Sequence, residues 1–139
     1  MKIIKKTMEW HWSHGLLQDR AAIWKEEEIE EVKPFSNYEI QLFKKWLEMW
    51  QEAWDNEVEG WELDKNILKE FGEETYKKYI RRFNILEGEW LYEPEDFVLL
   101  DNNTIETPMG TLVNLEFEFL KTTEHYQTDS RLIAYVVKE

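Results

Sequence analysis

Imidazole, carboxylate and hydroxyl groups are the side chains of this sequence that could do chemistry, and their spacing narrows what each could do. His11 and His14 lie in Trp10-His11-Trp12-Ser13-His14-Gly15, and His125 lies in the segment 122–130. Three imidazoles are zinc ligands by type. An extended strand, however, puts positions 11 and 14 on opposite faces, so they do not converge on one ion. His11 is expected on the wet face of a strand and His14 in a turn, with no metal bound. Asp101-Asn102-Asn103-Thr104 begins like a calcium loop, but Glu106 and Leu112 stand where that loop needs Gly and an acid. There is no Cys, which removes thiolate ligands, thiol nucleophiles and disulfides. No Gly-rich phosphate loop or G-x-S-x-G elbow occurs, and Ser13, Ser36 and Ser130 sit in no nucleophile context. With 30 acids, some carboxylate pair always lies at a workable separation, so no pair is singled out. The expectation is no catalytic residue and no cofactor.

What remains distinctive is charge. Seventeen bases against 30 acids leave a net charge of −13. Glu26, Glu27, Glu28, Glu30 and Glu31 put five carboxylates in six positions. Between Lys45 and Lys65 there are seven acids and no base, among them Glu48, Glu52 and Asp55. Between Arg82 and Lys121 there are nine acids and no base, Glu116 and Glu118 included. Such a field disfavours nucleic acid and anionic membranes as direct ligands and steers toward basic proteins. Glu48, Glu52 and Asp55, at i, i+4 and i+7, form a short row of the kind a mimic of the DNA backbone needs, although Lys44 and Lys45 share that polar face.

Trp46, Trp50 and Trp54 recur every four residues along the same segment. Large aromatics fill cores and also anchor interfaces. Core packing accounts for most of this stripe, while the edge at Trp46 and Met49 is the part that could protrude as an apolar patch in an acidic rim.

The elements that must position these groups follow from periodicity. Residues 1–13 alternate with period 2 and read as a strand. Residues 16–33 are expected to be helical. Ser36-Asn37-Tyr38-Glu39 is a capping box opening an apolar run. At about 100° per residue every position from 40 to 56 falls on the correct half of the wheel, predicting a helix over 37–56. A second helical stretch, 64–84, has Asp64 as N-cap and a break at Gly72, and Gly88 closes the helical half. Segments 97–100, 104–106, 111–121 and 131–138 then read as an antiparallel meander, with turns at 101–103 and 107–110. In it, Val113, Leu115, Phe117 and Phe119 are expected to share one face. The plan is a single α+β domain over 1–139: an N-terminal strand and two to three helices (about 16–84) on a C-terminal meander of about four strands (97–138).

The longest uncharged runs are nine residues, at 10–18 and 107–115. A membrane-spanning helix needs about 18–20 apolar residues, so a cytoplasmic protein is expected. The functional expectation is a non-enzymatic, acidic protein-binding module of a bacterium or its mobile elements. It would be an inhibitor that occludes a basic nucleic-acid-binding surface, of the anti-restriction or nuclease-immunity type. The expected contacts are Glu26, Glu27, Glu28, Glu30, Glu31, Trp46, Glu48, Met49, Glu52, Asp55, Glu116 and Glu118. Two alternatives stand beside it: a small ligand-binding or hydrolytic domain with a Trp-lined pocket, and a phage structural or assembly component.

Overall fold

The computed structural model describes residues 2–12, 20–122 and 128–138. In chain order they form strands β1 (Ile3–Trp12) and β2 (Arg20–Ile29), then helices α1 (Asn37–Asp55) and α2 (Gly60–Phe71). Helix α3 (73–90) follows, and then strands β3 (Val98–Leu99), β4 (Ile105–Thr107), β5 (Gly110–Thr122) and β6 (Thr128–Val137). The architecture is α+β, with six strands where an N-terminal strand and a meander of about four were expected. The chain divides into two compact units. One is Met1–Lys33 together with Met109–Glu139; the other is Pro34–Pro108. Among the described residues, no helix is long and apolar enough to cross a membrane.

In the first unit the strands are antiparallel in the order β2-β1-β6-β5. The helix expected over 16–33 is overturned for its described part: residues 20–29 are a strand paired with β1 through ten consecutive positions, Ile3 opposite Ile29 to Trp12 opposite Arg20. Helical and extended patterns were equally weak here because β2 lies at the margin of the sheet, where both faces reach solvent and neither needs an apolar periodicity. The shared face expected for Val113 and Leu115 is also corrected. The register slips between Leu112 and Asn114, so Leu112 and Leu115 face Val136 and Ala134 while Val113 turns to the opposite side. A β-bulge of this kind inserts one residue and reverses the parity beyond it. Val113 there joins Ile3, Ile133 and Tyr135 in a buried cluster, flanked by Ile29, Val32 and Val137. Phe119, still in register with Ser130 just before a second slip, is exposed.

The second unit is held by rings. Helix α1 is capped by Ser36, whose hydroxyl accepts from the Glu39 backbone N–H at 3.1 Å while the Glu39 carboxylate accepts from the Ser36 N–H at 3.0 Å. Ile40, Phe43, Trp46, Trp50 and Ala53 form its buried face. Trp46 meets Trp50 at 5.2 Å and Phe83 at 5.6 Å between ring centroids, and Phe97 closes on Trp50 at 5.6 Å. Helix α2 starts four residues before the predicted cap, so Asp64 lies inside it. Helix α3 comprises a short turn Glu73–Thr75, a π-helical stretch Tyr76–Ile80 and the segment Arg81–Trp90. It runs through Gly88 and stops at Leu91 in the left-handed conformation. From α3 the buried Arg82 guanidinium reaches the Glu39 carboxylate and lies over the rings of Phe35 and Phe83, at 5.3 and 5.2 Å. Burial pushes Glu39 up, but the Arg82 bond and the Ser36 N–H together hold it below the usual carboxylate range. The tertiary structure thus fastens the cap of α1 to the middle of α3.

Candidate interaction groove on helix α1

The row foreseen on α1 acquires an opposite wall. After α3, Glu93-Pro94-Glu95-Asp96 folds into a 3-10 turn, fixed by the Asp96 carboxylate accepting from the Glu93 N–H at 2.7 Å. This turn and Phe97 face the polar side of α1 across an open groove of about 510 Å³. Leu47, Pro94 and Phe97 provide apolar lining; Glu48, Glu52, Asp55 and Glu95 provide carboxylates; Gln51 and Asn56 complete it. No base is among these nine residues. Gln51 donates to Asp55 at 3.0 Å, and Asn56 closes the helix by donating to the Glu52 carbonyl at 2.8 Å, so the rim rests on a capped helix end. Beside this rim Glu93 shares a hydrogen bond with Glu95 that pushes its carboxyl up, helped by slight desolvation and by the charges of Glu95 and Asp96, so Glu93 holds its proton more readily than an isolated glutamate. Lys45, which shares the polar face in sequence, pairs instead with Glu70 of α2 at 3.4 Å.

The remaining predicted contacts distribute differently. Trp46 is 1% exposed and its indole N–H donates to Asn84 at 2.6 Å, so it is a core residue and leaves the contact set. Its neighbour Met49 is half-buried and lines a second, smaller concavity of about 200 Å³ with Ala53, Val58 and Leu63. The exposed Trp residues of this unit are Trp54 at 51% and Trp61 at 69%. Trp54 falls within the apolar half-wheel like Trp46, so periodicity did not set it apart; Trp61 lay in a stretch assigned to no element.

The run on β2 belongs to the other unit and is not a free row of charge. Glu26 pairs with Lys6 at 3.7 Å and Glu27 with Lys25 at 3.7 Å. Glu28 pairs with Lys138 at 2.7 Å and Lys2 at 3.1 Å, and those two bonds, Lys138 first, hold it below the usual range. Glu30 and Glu31 follow the strand and are exposed. Glu118 bonds Arg131 at 2.6 Å, and Arg131 also grips Glu9. Glu116 stands beside the Tyr135 hydroxyl, which burial, aided by that carboxylate, pushes up to about 12. The ring nitrogens of His11 lie 3.2 Å from carboxylate oxygens of Glu9 and Asp129. Among the described residues no three His, Asp or Glu side chains converge as a metal site. His14 and His125 lie outside the described residues.

No protein-family model, curated protein or solved structure matches this chain.

Proposed function

We propose that this chain is a non-enzymatic protein-binding module whose α1 groove receives basic side chains of a partner. It thereby occludes a surface with which that partner, a nuclease or other nucleic-acid enzyme of the bacterial cytoplasm, would hold nucleic acid. The observation that carries the reading is four carboxylates around an apolar lining with no base among the nine groove residues. An Arg or Lys side chain suits such a groove at both ends. Its methylene stem lies along Leu47, Pro94 and Phe97, and its head group meets Glu48, Glu52, Asp55 or Glu95. Arg is favoured, because its planar fork bonds a carboxylate through two parallel N–H groups.

Spacing sets how far mimicry of DNA extends. At about 1.5 Å rise per residue, Glu48, Glu52 and Asp55 stand about 6 and 4.5 Å apart along the axis. One DNA strand carries a phosphate about every 3.4 Å. The row is sparser than the polymer, so recognition rests on capturing individual side chains rather than on reproducing a duplex. The carboxylates govern the on-rate, and the apolar lining slows dissociation.

The test is capture from a bacterial lysate on the tagged protein, eluted by a salt gradient with and without competing duplex DNA. The expected result is a basic nucleic-acid enzyme that elutes at moderate salt and is displaced by DNA. It should be lost when Glu48, Glu52 and Glu95 are all changed to Lys. Salt-independent retention, or undiminished retention by the charge-reversed variant, would refute the proposal.

A further inference from the structure

Strand β2 is ten residues long, pairs with β1 without a register slip, and has no strand on its other side among the described residues. A long, regular margin of this kind is a template for adding another strand. Its side chains decide which strand fits. Ile23, Lys25 and Glu27 line one shallow trough of the sheet with Lys5, Thr7, Glu9, Arg131 and Ile133, and Ile29 continues the same face against the buried cluster. Read along the strand, that face is Ile, Lys, Glu, Ile. Read backwards, it is Ile, Glu, Lys, Ile.

From this complementarity, in which reversal sets Lys against Glu and Ile against Ile, we infer that β2 pairs antiparallel with β2 of a second copy of the chain about a two-fold axis at Glu26. In that register Ile23 meets the second copy's Ile29, Lys25 meets its Glu27, and both contacts occur twice. Sliding by two residues either way sets Lys25 against Lys25 or Glu27 against Glu27, so one register is selected by charge. Ile23, 54% exposed, gains an apolar cover and extends the cluster of Ile3, Val113, Ile133 and Tyr135 across the junction. On the opposite face Glu26 meets its own symmetry mate, and a Lys6 from each copy, 3.7 Å from its Glu26, offsets that contact. Trp24, whose indole N–H lies 3.4 Å from Glu26, comes opposite the second copy's Glu28. The lysines that neutralise the acidic run therefore make this margin self-complementary, and an exclusively basic partner strand would oppose Lys25 and the neighbouring Lys5.

Sedimentation velocity on the full chain over a range of concentrations, at about 0.15 M salt so that charge beyond the contact is largely screened, tests the inference. The wild type is expected to dimerise reversibly. Lys25→Glu and Glu27→Lys each replace two attractive contacts by two repulsive ones and should weaken the dimer on the order of tenfold or more. An equimolar mixture of the two variants restores both contacts and should dimerise, as should the double variant Lys25→Glu/Glu27→Lys alone. Circular dichroism that matches the wild type separates lost pairing from lost folding. A wild type that stays monomeric at every concentration, single variants that dimerise like the wild type, or a mixture that fails to pair would each overturn it.

Discussion

Changing Glu87 to Gln removes a carboxylate that the folded chain holds in an unfavourable place. Glu87 lies on α3, and burial, with a further push from the charge of Asp64 on α2, raises it from 4.5 to about 7. Asp64 is itself raised by partial desolvation. The folded state keeps the Glu87 proton to higher pH than the unfolded state does. Its contribution is therefore fully favourable below about 4.5 and is lost as the pH rises through about 7. At about 1.36 kcal/mol per pH unit the gap corresponds to about 3 kcal/mol. Halving this for the solvent that still reaches the carboxylate leaves about 1.5 kcal/mol. The amide has the same shape and no charge, so Glu87→Gln should come within about a few tenths of a kcal/mol of the wild type at pH 5 and exceed its stability at pH 8 by about 1.5 kcal/mol. Urea unfolding followed by Trp fluorescence, on both proteins at both pH values, gives the comparison. Most other titrating groups are common to the two proteins and cancel. An equal difference at pH 5 and pH 8, or a variant less stable at pH 8, would refute the burial of the Glu87 carboxylate.

Two further substitutions probe what holds each unit together. Arg82→Leu leaves the Glu39 carboxylate without its buried partner and should lower stability by about 3 kcal/mol; the double variant with Glu39→Leu should lose less than the two single losses added, and strict additivity in denaturant unfolding would contradict the pairing. Gly110 has φ +125° and a Cβ there would stand 2.5 Å from Val136 Cγ1, so Gly110→Ala should cost about 2 kcal/mol, and a melting temperature equal to the wild type would count against this backbone geometry.

Helix α1 was legible because its sequence carries both kinds of information a helix needs: a side-chain cap at Ser36 and Glu39, and a wheel whose apolar half is buried. β2 was not legible. Glu26 to Glu31 has no periodicity to read, since a marginal strand with two wet faces has no reason to alternate. The same run misled on charge for a different reason: Lys6 on β1, Lys2 just before it and Lys138 just after β6 neutralise it, and counting acids along the chain cannot see across strands. Half of the groove was visible as Glu48, Glu52 and Asp55. The other half, Pro94, Glu95 and Phe97, depends on where α3 stops, which the left-handed Leu91 decides and Gly88 does not. Trp46 and Trp54 carry the same residue type on the same helix, and only the ring stack around Phe83 and Phe97 tells the core residue from the exposed one.

The first unit is assembled from two pieces of chain, and the second lies between them in sequence. β1 has its inner neighbour in β6, with Ile3 opposite Val137, so the hairpin of β1 and β2 emerges from the ribosome long before the strand that covers it. The contacts of Pro34–Pro108 are local by comparison, and segments with local contacts organise first. Folding should therefore proceed from the middle outward. Until β6 arrives, the charges that end up paired across β1 and β2, Lys5 with Glu27 and Lys6 with Glu26, disfavour stray strand pairing by these segments.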